Sequence, residues 1–154
     1  MTKQAKIICF ANHKGGVGKT TTTASVGSIL ASLGNKVLLV DMDAQSNLTT
    51  SLLKNDQVDQ TIYDALSASC RGVDYHLAIY PITESLDIVP SSLRLASADL
   101  ELASVMAREH ILSDILRGQV ENYDYILIDC PPSLGLLTLN ALTASNLVII
   151  PLLA

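Results

Sequence analysis

A glycine-rich stretch from Asn12 to Thr23, NHKGGVGKTTTT, concentrates the residue types that bind phosphate. Gly15, Gly16, Val17 and Gly18 form a segment whose backbone can wrap an anion with its N–H groups pointing inward. Lys19 supplies a cation for β- and γ-phosphates, and the Thr20 hydroxyl is suited to Mg²⁺, with Thr21 next in line. A helix starting here adds the partial positive charge of its N-terminus at the same point. The strict pattern G-x-x-x-x-G-K-[ST] fails at its first position, where His13 stands, yet strand, glycines, Gly-Lys-Thr and helix fall in register. A second lysine, Lys14, precedes the glycines, although a phosphate loop needs only one.

Carboxylates recur at two strand ends. VDMDAQSN places Asp41 and Asp43 after one apolar run, and LIDCPPS places Asp129 after another. In open α/β sheets ligands bind outside the carboxyl ends of the strands, the edge where a glycine loop also lies. An acid there can hold Mg²⁺ directly or through water. Side chains two residues apart on a strand point to opposite faces, so Asp41 and Asp43 need not share a role.

Apolar, β-branched runs at 6–11, 36–41, 86–91, 125–130 and 147–153 read as buried strands. Helical patterns lie between them. Residues 20–33 place Val26, Ile29, Leu30 and Leu33 on one face before Gly34. The stretch 95–117, with Leu95, Leu102, Met106, Ile111, Leu112, Ile115 and Leu116, predicts two helices or one bent one. Residues 135–145 predict a short, almost wholly apolar helix with Leu136, Leu137, Leu139 and Leu142. Between 56 and 82 a short helix over 61–68 is expected, then an edge strand within HLAIYPI. The alternation predicts an α/β fold: a doubly wound, mostly parallel sheet with helices on both faces, in a single domain over residues 1–154. Stopping at Ala154, directly after an apolar strand, would leave sheet surface bare, so the chain reads as the N-terminal portion of a larger domain.

Composition agrees. The 154 residues are 49% hydrophobic but only 4% aromatic, which fits an aliphatic core around a sheet buried on both faces. The net charge of −5 lacks the basic footprint of a nucleic-acid-binding surface. Cys9, Cys70 and Cys130 make no C-x-x-C pair, and His13, His76 and His110 are scattered, so neither a disulfide framework nor a zinc site is expected. No apolar run approaches the ~20 residues of a membrane span. The N-terminal apolar run is too short for a secretory signal, and a cytoplasmic protein is expected.

With KGGVGKT, DMDAQSN and DCPPSLG in this order, the chain resembles the ParA/Soj partition ATPases. That family belongs to a larger group with a deviant phosphate loop that also includes MinD. The resemblance covers essentially the whole chain. It implies ATP and ADP as ligands, Mg²⁺ as cofactor, and a homodimer with two nucleotides sandwiched face to face. By that likeness Lys14 crosses the interface toward the partner subunit's phosphates. Asp43 matches the acid that orients the attacking water, Asp129 the acid that holds the Mg²⁺ shell, and Asp41 a support for that shell and the switch loop. The likeness also implies a stimulating ParB/Spo0J-like partner, nucleoid association, and non-specific DNA binding through a region mostly beyond residue 154. Gln45 and Asn47 after the second acid place the likeness nearer to ParA than to MinD, whereas Ala44, Ser46 and His13 depart from the family's usual residues. Cys130 does not match an iron–sulfur ligand segment, and Asn35-Lys36-Val37-Leu38 is not the N-K-x-D that reads guanine.

Three functions remain open on this reading. One is a dimeric, ATP-hydrolysing switch in plasmid or chromosome partitioning. Another is a metabolic P-loop enzyme of ATPase or kinase-like type, in which Lys14 would have no partner to reach. The third is a nucleotide-binding module without turnover.

Overall fold

The computed structural model describes residues 2–54 and 57–154. Strands β1 (Lys6–Phe10), β2 (Val37–Asp41), β3 (Tyr80–Thr83), β4 (Leu86–Val89), β5 (Tyr125–Asp129) and β6 (Leu147–Ile149) form one sheet in the order β3-β4-β2-β5-β1-β6. Only the β3–β4 pair is antiparallel. The register sets Phe10 beside Asp129 and Asp129 beside Asp41, so the loop that follows β1 and two of the candidate acids share one sheet edge.

Every strand residue from Val37 to Val40 is fully buried, as expected of a sheet covered on both faces. Side chains alternate between two cores. Ile8, Phe10, Leu39, Ile88 and Leu127 face the layer of α1 (Lys19–Ser32) and α2 (Asn47–Leu52). Ile7, Cys9, Leu38, Val40, Ile126 and Ile128 face the opposite layer. There sit α3 (Ile62–Cys70), α4 (Ala98–Ala103), α5 (Ile111–Arg117) and α6 (Leu136–Ala144). Cys9 and Cys130 are free thiols within this core.

Helix α1 does not bury the face its apolar spacing suggests. Its buried positions are Lys19, Thr23 and Gly27, four residues apart, whereas Ile29 and Leu33 are 58% and 72% exposed. Val26 and Leu30 pack only partly against the core. The reason is closeness: a Cβ built on Gly27 would lie 2.7 Å from Leu39 Cδ2 and 3.5 Å from Leu127 Cδ1. Small residues let the helix that leaves the glycine loop lie flat on β2 and β5. We expect Gly27→Val to overpack this contact and lower stability by about 1–3 kcal/mol in chemical denaturation, despite removing a helix-weakening glycine.

Other expectations shift in detail. Of the two forms expected for 95–117 the structure has two helices, but α4 and α5 are separated by a turn in which Ala107 is left-handed (φ 55°), and Met106 is 93% exposed instead of lying on a helix face. In α6 the expected Leu139 and Leu142 are 43% and 37% exposed, and Thr138, Asn140 and Ala141 are buried in their place. Asn140 is satisfied there, accepting from Leu112 N (3.0 Å) and donating to the Arg108 and Leu136 carbonyls (2.9 Å each). The edge strand expected within HLAIYPI is β3, which begins at Tyr80 and lies at the sheet edge. Helix α2 has no counterpart among the expected elements; it begins at Asn47, one turn after the second acid. At the other edge, β6 leaves Leu147 and Val148 46% and 39% exposed.

Candidate phosphate and metal site

Strand β1 hands the chain to the loop at Ala11, and the loop is anchored at once. Asn12 Oδ1 accepts from Lys14 N (3.0 Å), and Asn12 Nδ2 donates to the Pro151 carbonyl (2.9 Å). Gly16 (φ 70°) and Gly18 (φ 87°) then take left-handed backbone that a side chain would strain. Gly18 leads into α1 without any side-chain cap, and the first turn of that helix carries no acid. Its N–H groups are therefore left to face an anion. Below the turn, Val17 is buried and pins the loop to the fold.

The two lysines end in different places. Lys19 is only 7% exposed, and its Nζ donates to the Lys14 carbonyl at 2.8 Å, which holds the ammonium against the loop backbone. Lys14 is exposed, and among the described residues no carboxylate lies within ion-pair reach of its Nζ. One cation belongs to this chain's own loop, and the other projects from it.

A cavity of about 760 Å³ opens over the loop. Gly15, Gly16, Gly18, Lys19, Thr20, Thr21 and Asp43 line it, joined by Gln45, Asn47 and Pro132. Lys14 lies outside that lining, and Asp41 and Asp129 stand behind it. Asp129 is fully buried; its Oδ2 accepts from Thr20 Oγ1 at 2.7 Å, and its Oδ1 has no partner among the described residues. Burial pushes the Asp129 carboxyl up to about 7, with Asp41 and Asp43 adding repulsion and Thr20 and Lys19 opposing it. A buried carboxylate oxygen with no donor beside it is a costly arrangement that a cation relieves. The paired hydroxyl and carboxylate are oxygen donors of the kind Mg²⁺ takes, so the residues present fit that ion.

Asp41 has a different environment from Asp129. It is also fully buried, yet both its oxygens are engaged: Oδ1 accepts from Asp43 N (3.0 Å), and Oδ2 from Thr49 N (3.0 Å) and Thr49 Oγ1 (2.7 Å). Burial raises its carboxyl to about 6 against the pull of these donors. Asp43 sits at the cavity wall, where its Oδ1 accepts from Gln45 N (3.0 Å). The structure thus brings the loop, Asp43 and Asp129 together and sets Asp41 one layer behind as a structural hub. Sequence reading missed Thr49, because a threonine inside a polar run carries no motif. It also missed Pro132, whose Cβ lies 3.9 Å from the position of a Gly15 Cβ.

The chain is similar to known proteins. A family model described as an AAA domain (AAA_31) matches residues 5–154. The chain is 49% identical over 147 residues to the sporulation initiation inhibitor protein Soj of Bacillus subtilis, covering 95% of this chain and 57% of that one. It is 48% identical over 148 residues to the chromosome partitioning protein ParA of Myxococcus xanthus, covering 96% of this chain and 52% of the relative. Among solved structures, that of cobyrinic acid a,c-diamide synthase from Mycobacterium smegmatis with bound ATP analog and magnesium superposes with a TM-score of 0.88 at 40% identity, over 96% of this chain and 60% of the other. The chain spans about half the length of the curated relatives it matches. It belongs to the AAA domain family, among the relatives of the Soj and ParA partition proteins.

Proposed function

We propose that this chain is the nucleotide-binding part of a Mg²⁺-dependent ATPase that works as a dimeric switch in plasmid or chromosome partitioning. The observation that carries the reading is the split between the lysines: Lys19 is folded into its own loop, and Lys14 is exposed beside it with no carboxylate in ion-pair reach among the described residues. On this reading Gly15 to Gly18 and the start of α1 bind the phosphates of ATP. Lys19 and Thr21 orient them. Thr20 and Asp129 hold Mg²⁺, whose positive charge stabilises charge that develops on the transferring phosphoryl group. Asp43 orients the attacking water at the cavity wall, and Lys14 reaches the phosphates of a second copy as an arginine finger does in trans. The relatives' names support the partitioning role, as does their identity to this chain.

The wider setting follows the same likeness. A ParB/Spo0J-like partner stimulates hydrolysis and resets the switch, DNA is bound without sequence preference through a region mostly beyond residue 154, and the protein works on the nucleoid. No helix among the described residues is long and apolar enough to cross a membrane. Sedimentation of the intact protein tests the core of the proposal. A slowly hydrolysed ATP analogue with Mg²⁺ is expected to drive monomer to dimer, and ADP is expected to leave it monomeric. A protein that stays monomeric with the analogue defeats the switch.

A second reading is supported by one finding, the likeness to the structure of cobyrinic acid a,c-diamide synthase from Mycobacterium smegmatis. It makes the chain part of a metabolic enzyme that activates a small molecule with ATP. That enzyme would not need Lys14, so Lys14→Ala would leave its turnover intact.

A further inference from the structure

We propose that Thr49 is a positioning residue for hydrolysis, acting through a closed ring of hydrogen bonds around the main chain of Asp43. The inference rests on the water-orienting role proposed above for Asp43. The Thr49 hydroxyl donates to Asp41 Oδ2 (2.7 Å) and accepts from Ser91 N (2.9 Å). From there two arms close on one residue. Asp41 Oδ1 accepts from Asp43 N (3.0 Å), and the Ser91 hydroxyl donates to the Asp43 carbonyl (2.7 Å). Thr49, Asp41 and Ser91 are at most 3% exposed, and both bonds of the Thr49 hydroxyl are buried, so water cannot readily substitute for them.

The ring joins elements that are far apart in sequence. Asp41 ends β2, Thr49 lies in α2, and Ser91 follows β4. A hydroxyl is needed at the junction because the atom there must both give and accept: it donates to a carboxylate and accepts from a backbone N–H. Valine has the same shape and can do neither. Replacing it would leave the Ser91 N–H and one Asp41 donor bond unmade and release the Asp43 backbone, which otherwise aims a side chain at the cavity. Displacement of a reacting group by about 1 Å can cost ~100-fold in rate. Thr49, Asp41 and Ser91 do not line the cavity over the phosphate loop, so ATP binding should barely change.

The test compares Thr49→Val, Thr49→Ser and Asp43→Ala in the intact protein, measuring steady-state ATP hydrolysis, binding of a fluorescent ATP analogue, and the thermal midpoint. Thr49→Val is expected to lower kcat about 10–100-fold while KM and analogue affinity stay within about twofold of wild type. Thr49→Ser, which keeps the hydroxyl, restores kcat. Wild-type kcat in Thr49→Val overturns the inference. So does parallel loss of kcat, affinity and thermal midpoint that serine fails to rescue, since that marks a purely structural role. Should the valine variant not fold, Thr49→Cys, with its weaker donor and acceptor, must still lower kcat, and a wild-type value there overturns the inference equally. Asp43→Ala separates the two layers: if it hydrolyses ATP normally, the functional reading of Asp43 is what fails; if it is inactive while Thr49→Val is normal, only the ring is refuted.

Discussion

Lys14→Ala is expected to leave ATP affinity within about twofold of wild type and to remove hydrolysis, whereas Lys19→Ala loses binding itself. The two residues are five apart in one loop, so the contrast is a sharp one. Lys19 Nζ is held against the loop carbonyl of Lys14, where on the proposed reading it would meet the phosphates bound by its own chain. Charge-assisted hydrogen bonds contribute about 1.5–3 kcal/mol each, so losing the phosphate contacts of Lys19 should weaken ATP binding by ~100-fold. Among the described residues the exposed Lys14 ammonium has no ion-pair partner, so its removal should leave ground-state binding untouched. Cations supplied across an interface to a transferring phosphoryl group are worth about 10³–10⁵ in turnover. Mixing Lys14→Ala with a Lys19→Ala protein offers a further check. In such a mixed dimer the only subunit able to bind ATP faces an intact Lys14, so partial activity should return. Equal loss of ATP affinity from both single changes, by isothermal titration, would sink the trans assignment.

Asp129 carries the second large effect, and its sign reverses between the metal-free and metal-bound protein. Its carboxyl stands at about 7 when folded, against 3.8 ordinarily, because it is buried and repelled by Asp41 and Asp43; its Oδ1 has no partner among the described residues. A folded-state value above the unfolded one means the native protein holds the extra proton between those two values. Metal-free stability should therefore rise as pH falls from 8 toward 4, and be lost again as pH climbs through 7. Asp41, raised to about 6, adds to the same slope over its lower half. Magnesium works the other way. Since it must displace the proton from Asp129, Mg²⁺-dependent hydrolysis should weaken below pH 7. Asp129→Asn separates the terms. Thermal melts without metal should show a more stable protein at pH 8, with a flatter pH slope that retains the Asp41 part. Hydrolysis with Mg²⁺ should drop about 10–100-fold, the usual cost of losing a carboxylate in or next to a metal shell. An unchanged pH slope in Asp129→Asn would show that this carboxyl is not the proton site.

Much of this site could be read from the amino-acid sequence because it is local. The glycines, Lys19 and Thr20 act within one turn of backbone, and left-handed glycines followed by an uncapped helix are encoded by adjacent residues. Apolar runs marked all five expected strands, since a parallel sheet buried on both faces needs continuous aliphatic stretches. From strand order alone, acids at the ends of two such runs fall on the loop's edge, and β5 does lie between β1 and β2.

What depended on tertiary structure involved pairs of distant residues. Spacing could not show that α1 packs on Gly27 instead of Ile29 and Leu33, because the approach distance is set by Leu39 and Leu127 in strands that follow later in the chain. Asp41 and Asp129 look alike in sequence, each closing an apolar strand. In the fold one receives three donors and becomes a hub, and the other keeps a bare oxygen and becomes a metal ligand candidate. That difference arises from Thr49 and Thr20, which reach them from separate helices. The chain by itself determined which groups could touch phosphate; burial and hydrogen-bond partners, which depend on long-range packing, decided which carboxylate was left free to hold a cation.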